Sequence, residues 1–330
     1  MRSAQWQAAM GVNLRCPHLS WYTARGEAKR DYPASISFQS PWWREFAMVE
    51  DYFARVNVLL TRGEPVRDVA VIHPIEGAWG LFTGGPSPSL WELNGKLEKL
   101  EDALLDSHHD FDYVDEEFMS RKGGVEGNEL AVGLARYRAV VVPPMLTIRG
   151  TTLDLLGQFA AAGGLVVWTE PRASFVDGKP GPAEGAGMAV SSPAGGVEAL
   201  AAAGDRLRRA SITGPDGSEN PHVLYMLRKD GEGRAILFMC NRRQSAGQAP
   251  LSVRVPFPGP AAEWDAGTGK VFAADSEADG AATVIRTSLP PCGSRLFVIG
   301  DAEGGPPPAR PSFRESGRAK LAAGPWTVGR

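Results

Sequence analysis

The sequence predicts a mixed fold, α/β followed by all-β, on three observations. Residues 11–60 read as a short strand, a long polar and aromatic loop and an amphipathic helix, which is the layout of one βα unit of a (β/α)8 barrel. Residues 66–212 alternate apolar strands with helices, the pattern of a doubly wound parallel sheet with right-handed crossovers. Residues 213–300 hold short alternating strands between frequent turns, the pattern of a small β-sandwich. Pro, Gly, Ala and Arg dominate 301–330, a composition expected of a disordered tail. The expected domains are therefore 1–65, 66–212, 213–300 and the tail.

Taken in order, residues 1–10 (MRSAQWQAAM) lack the continuous apolar core of a signal peptide and read as the tail of a helix with Trp6 and Met10 on one face. A chain that opens inside a helix is expected to be a C-terminal portion of something longer. That leaves the compartment open, with the cytoplasm favoured. The clearest helix spans 40–63: Ser40 suits the N-cap, Pro41 the first helical position and Gly63 the far end. Trp42, Phe46, Val49, Phe53, Val56 and Leu60 step by four and three onto one face, leaving Arg44, Glu45, Asp51 and Arg55 to water.

The stretch VRDVAVIHP has the β-branched character of a strand covered on both sides. After the loop GGPSPS, Ser89 is expected to cap a helix through Leu90, Leu93, Leu97, Leu100 and Leu104. A strand at 111–114, a strand at 137–142, a helix at 151–162, a strand at 165–169 and an Ala-rich helix at 197–209 follow. Residues 177–196 read as a mobile surface loop. In the last part, HVLYMLRKDGEGRAILFMCNR predicts a hairpin turning at Asp230 and Gly231, and Leu251, Val253, Val255 and Phe257 alternate onto one face. DAGTG at 265–269 is a further turn, and 294–299 a last strand.

With 35 Lys+Arg against 38 Asp+Glu and no basic run, neither nucleic acid nor a charged membrane is indicated as a partner. No apolar run is long enough to span a bilayer. Cys16, Cys240 and Cys292 form no CxxC pair, which argues against a disulfide framework or a zinc site and for reduced thiols. No phosphate loop, GxGxxG, HExxH or GxSxG is present, so neither cofactor nor metal is expected.

The best site candidate is the loop after the first strand. Barrel enzymes place substrate-binding groups at strand ends, where Cys16, His18, Trp21 and Tyr22 fall. Aromatic rings stack on the apolar faces of sugars while His, Arg and Asp bond hydroxyls, and Arg30, Asp31, Gln39, Trp42 and Trp43 extend that surface. The competing reading makes Trp42 and Trp43 helix anchors and Arg30 with Asp31 a solvent pair. His73 and Glu76 close the first strand of the doubly wound part, where open sheets bind ligands, but they read as a structural turn ahead of a site. His108 and His109 follow a helix end and are expected in solvent. Residues 110–117 (DFDYVDEE) read as a strand edge and helix start, not a calcium loop. A glutamine amidotransferase would need a Cys nucleophile, and none lies within 66–212.

In this order the segments resemble the C-terminal portion of bacterial (β/α)8-barrel glycoside hydrolases: the galactosidases with a trimerisation-like domain and the α-L-rhamnosidase-type glycosyl hydrolases. VNLRCPH, PWW, DYFAR, VIHP and WDAGTG carry the resemblance, which covers the chain to Ile299. It implies a carbohydrate substrate, residues 11–60 as the eighth strand, loop and helix, and a flavodoxin-like, amidotransferase-like domain before the sandwich. It also implies that both catalytic carboxylates precede Met1, since a barrel takes about 250 residues. Glu27 and Asp31 match neither role. The alternative function is a non-catalytic carbohydrate-binding or assembly module. With no neighbouring barrel units, the Trp42 helix face is expected to stay open and to drive homo-oligomerisation.

Overall fold

The computed structural model describes residues 2–16, 23, 25–26, 36–204, 206–301 and 306–311. Its architecture is mixed α/β with several sheets. The first half is organised by five parallel strands, Val69–Ile72, Phe111–Val114, Ala139–Val142, Leu165–Thr169 and Met188–Val190. In chain order they lie 2-1-3-4-5 across the sheet from the Phe111 edge, every pairing parallel. Because alternate side chains of a strand face opposite ways, a strand covered on both sides must be apolar at every position. Val69, Val71, Val141 and Val167 pack under Leu100 and Leu104 of one helix and Leu200 of another. Ala70, Ile72, Val140 and Trp168 pack against Leu156 and Phe159 on the other side.

The helices of this half start where side chains can take up free N–H groups. Ser87, two residues before the expected Ser89, caps helix Pro88–Asp106 by accepting from Leu90 N–H. Asp115 caps Glu116–Lys122 by accepting from Phe118 N–H. Ser192 caps Pro193–Ala202 in the same way, so the Ala-rich helix begins before the expected 197 and ends at Ala202. The segment 177–196, expected as a loop, supplies the fifth parallel strand, because Met188–Val190 pair with Val167–Thr169. Three further strands, Gly123–Glu126, Glu129–Val132 and Ala135–Tyr137, form an antiparallel sheet that the sequence did not announce. Its longest apolar run is Leu130, Ala131 and Val132, too short to separate from a loop.

In the second half, one antiparallel sheet orders the strands Glu64–Pro65, Val223–Lys229, Ala235–Asn241, Ser294–Ile299, Ala261–Trp264 and Val271–Ala273. A second orders Ser211–Thr213, Gln248–Val255, Ala282–Leu289 and Ser276–Asp279. Their facing sides share one core, in which Leu251, Val253 and Val255 meet Val223, Tyr225, Leu237 and Phe297. The hairpin turns at 230–234 around Asp230, which accepts from the Glu232 and Arg234 N–H groups. Within the tail expected to be disordered, residues 306–311 lie along this sheet's edge: Ala273 N–H donates to Pro308 O at 2.9 Å, and Arg310 pairs with Glu263.

The other side of the larger sheet is covered by the N-terminal segment. Helix α1 (Arg2–Ala9) and helix α2 (Phe46–Leu60) lay Ala8, Ala9, Phe53, Val56 and Leu60 on Leu224, Met226, Ile236, Phe238 and Leu296. The apolar face of α2, expected to await neighbouring barrel units, is thus largely occupied within the chain. Its start is Phe46 and not Ser40; residues 41–45 are turns, and Trp42 stands 43% exposed off the buried face. On α1, Gln5, Ala8 and Ala9 are buried, while Trp6 and, just past its end, Met10 are both exposed. Gly63 does close α2. Its φ is +60°, and a Cβ there would sit 1.9 Å from Lys229 O, so only glycine fits. Arg228 then donates to Arg62 O at 2.7 Å and Gly63 O at 2.6 Å, fastening the helix end to the sheet.

A polar seam joins the two halves. His108 and His109, expected in solvent, are each only 1% exposed because the strands at 211–229 pack over the amino end of the parallel sheet. His108 Nδ1 faces Glu219 Oε2, and its Nε2 lies 3.0 Å from Val223 O. Glu219 also takes Arg208 at 3.0 Å, the Ser211 hydroxyl and Ile212 N–H at 3.0 Å. Beside it Arg67 bridges Asp110 and Asp112, both at 2.8 Å, and Asp68 pairs with Arg209. Burial by itself would raise the Glu219 carboxyl, but bonds from His108, Ser211 and Arg208 outweigh it and hold it at about 2. Burial, with Arg208 and His108 nearby, lowers His109 to about 4.

Two outcomes are expected from this packing. Phe238→Ala, which empties a fully buried ring site under α2, should cost about 3–5 kcal/mol in urea denaturation, while Met48→Ala on the exposed face should stay within about 0.5 kcal/mol. Because the folded Glu219 titrates below its unfolded value, its contribution is complete above about pH 4.5 and is lost as pH falls toward 2. The denaturation midpoint should drop across that window, and Glu219→Gln should flatten the drop; a variant as steep as the parent chain would refute it.

Candidate functional site

Of the residues expected to face a sugar, His18, Trp21, Tyr22, Arg30 and Asp31 lie outside the described residues. Trp42 is described: its ring is tilted against Phe46 with centroids 6.0 Å apart, and its outer side is open. Trp43 is equally open, with the Arg44 guanidinium 5.7 Å from its ring centre. The strand expected at the start of this unit does not form among the described residues, where residues 12–16 take no regular secondary structure. Arg15 lies 4.2 Å from the Phe53 ring centre and 3.4 Å from Glu50, which turns its charge back toward α2. Cys16 is exposed, Cys240 buried and Cys292 between the two.

The second candidate lies at the carboxyl end of the parallel sheet, between its first and third strands, where the chain leaves in opposite directions and where open α/β sheets as a class bind ligands. His73 ends the first strand, its N–H donating to Val114 O and its ring edge-on to Tyr113 with centroids 5.2 Å apart. Glu76 follows on helix Ile75–Leu81. Opposite stands Arg149, contributed by the turn after the third strand. Its Nε donates to Glu76 Oε1 at 2.9 Å, and its Nη1 pairs with Glu117. Its own N–H donates to Glu116 Oε1 at 2.9 Å. Burial raises the Glu116 carboxyl above its ordinary range, against the pull of the Arg149 N–H. Glu116 Oε2 and the buried Thr152 hydroxyl feel each other without a hydrogen bond of good geometry.

Chemically this is a clamp. The Arg149 guanidinium neutralises the Glu76 and Glu117 carboxylates while its backbone N–H orients Glu116, so each of the three is engaged by this one residue. Arg149 lies far in sequence from Glu76 and Glu117, and no local pattern announces the meeting. Among the described residues no group of three or more His, Cys, Asp and Glu side chains is placed to hold a metal ion. No helix among them is long and apolar enough to cross a membrane.

No protein-family model matches the chain, and no curated protein matches it. Solved structures match in fold, among them a rhamnosidase, a beta-galactosidase and an alpha-L-fucosidase. The rhamnosidase from Novosphingobium sp. PP1Y superposes with a TM-score of 0.66 at 19% identity, over 96% of this chain and 30% of its own. The alpha-L-fucosidase isoenzyme 2 from Paenibacillus thiaminolyticus gives a TM-score of 0.53 at 13% identity, over 79% of this chain and 52% of its own. The beta-galactosidase from Bacillus circulans sp. alkalophilus gives 0.52 at 14% identity, over 80% and 46%. The chain thus spans 30% to 52% of the length of these proteins, and at such identities the likeness is one of fold.

Arg149→Met should leave Glu76 and Glu117 facing each other without their cation. The expected cost is roughly 1–2 kcal/mol by urea denaturation, since the pairs are about a quarter exposed and partly screened. An unchanged midpoint would show that the clamp carries no stability.

Proposed function

We propose that this chain is the accessory, non-catalytic portion of a carbohydrate-active glycoside hydrolase. Residues 1–65 would be the last βα segment of its (β/α)8 barrel, 66–212 a flavodoxin-like, amidotransferase-like domain and 213–300 a β-sandwich. The observation that carries the reading is the superposition of 96% of this chain on 30% of a rhamnosidase. The 2-1-3-4-5 parallel order supports the flavodoxin-like assignment, and the shared core of the two antiparallel sheets supports the sandwich. The chemistry agrees. Hydrolysis of a glycosidic bond needs two carboxyl groups about 5–9.5 Å apart with room for sugar between them, whereas Glu76 and Glu117 are both bound by Arg149.

In this reading His18, Trp21, Tyr22, Arg30, Asp31 and Trp42 form the sugar-facing edge that the segment adds to a barrel whose carboxylates lie elsewhere. The exposed pair Trp42 and Trp43 also favours a second reading, a carbohydrate-binding or assembly module. Trp79, Phe82 and Trp91, each about two-thirds exposed, support a homo-oligomer or a partner surface in either case.

Given 4-nitrophenyl α-L-rhamnoside, α-L-fucoside and β-D-galactoside, the 330-residue chain alone is expected to release no 4-nitrophenol above buffer. Turnover by this chain that a carboxylate substitution within it abolishes would overturn the reading. Oligosaccharide binding seen by calorimetry and lost in Trp21→Ala would move the conclusion to the binding module.

A further inference from the structure

Trp264 ends the strand Ala261–Trp264 and remains 38% exposed, although the residues around it are tightly held. The turn that follows is braced from within, since Asp265 Oδ1 accepts from Gly267 N–H at 2.9 Å. It is also braced from α2, since Arg55 Nη1 donates to Ala266 O at 2.9 Å and Gly267 O at 3.1 Å. The indole therefore sits on a rigid edge. Two cavities, of about 200 and about 300 Å³, share it in their walls. The first is walled by Val58, Ala266, Val271 and Leu296, with Asp265 and Lys270 also lining it. The second runs over Leu59, Ile236 and Val298, with Arg62, Asp230 and Glu232 also lining it.

The charged groups are not equally committed. Asp265 is taken by its own turn and by Arg310, and Asp230 and Glu232 by Arg234. The Lys270 ammonium and the Arg62 guanidinium have no side-chain partner among the described residues. Each cavity thus combines an apolar wall, a free donor and a paired carboxylate on either side of one indole.

We propose that this groove binds a neutral pyranoside, with Trp264 as the stacking platform. A pyranose presents an apolar C–H face and a rim of hydroxyls, which matches an aromatic face with donors and acceptors at its margin. Both signs of charge line the groove, so its field favours a polyol over an anion. The cavities are at or below the roughly 300–1,000 Å³ of ordinary small-molecule pockets, a size for one or two rings. The choice of a sugar rests on the glycoside-hydrolase reading; the groove does not.

The test is saturation-transfer difference NMR and tryptophan fluorescence of the 330-residue chain titrated with methyl α-L-rhamnopyranoside. Binding with a Kd on the order of 1 mM is expected, weakened at least tenfold by Trp264→Ala and by Val58→Glu, and unchanged by Trp91→Ala. Val58 is an exposed helix position, so Val58→Glu keeps its fold and decides the matter if Trp264→Ala does not. Absence of binding to the folded chain overturns the proposal, as does binding that both groove variants leave intact. Equal or tighter binding of methyl β-D-glucuronide overturns the neutral ligand. Hydrolysis is read in a separate assay, so a catalytically active chain with an empty groove, or an inactive one that binds, tells the two conclusions apart.

Discussion

The carboxylate of Glu219 is the point on which the relation between the two halves of the chain depends. It lies between the amino end of the parallel sheet and the first strand of the antiparallel part, and it gathers His108, Arg208, Ser211 and the Ile212 N–H. A charge placed there unpaired would cost several kcal/mol, so its partners are obligatory and not decorative. Both ring nitrogens of His108 are engaged, Nδ1 with Glu219 and Nε2 with Val223 O. Tyr225 completes the link by donating to His108 O at 3.2 Å. Moving either half would strand several buried groups at once.

A second constraint acts on the larger antiparallel sheet. Residues 223–228 and 235–241 are buried at every position, which an antiparallel sheet with one wet face does not allow. The facing four-stranded sheet takes one side and α1 with α2 the other. The N-terminal segment is therefore structural for the C-terminal one, whatever else it contributes. Its outward face, with Met48, Val58 and Trp42 exposed, is what remains for other contacts.

Function follows from how charges and aromatics are spent. At the carboxyl end of the parallel sheet Arg149 holds the carboxylates of Glu76 and Glu117 in ion pairs. Around Trp264, by contrast, an aromatic ring and two cations without a side-chain partner among the described residues line formed cavities. The fold that carries both features recurs in part of a rhamnosidase, 96% of this chain lying over 30% of that protein.

By itself the sequence determined the local elements. The 3.6-residue spacing through Phe53, Val56 and Leu60, the unbroken β-branched runs at 69–72 and 139–142, and the alternation of Leu251, Val253 and Val255 each specify one element, because backbone geometry imposes those periods. Of the sugar-facing residues that the sequence suggests, Trp42 is exposed and its five companions lie outside the described residues, so local pattern names candidates without assembling them. Only the tertiary structure decided that His108 and His109 are buried, that Met188–Val190 join the sheet, that Arg149 neutralises Glu76, and that Trp264 stands between two cavities. Each of these depends on which distant segment arrives alongside. Burial, charge pairing and cavity shape are properties of that meeting, and a short window of sequence holds only one of its partners.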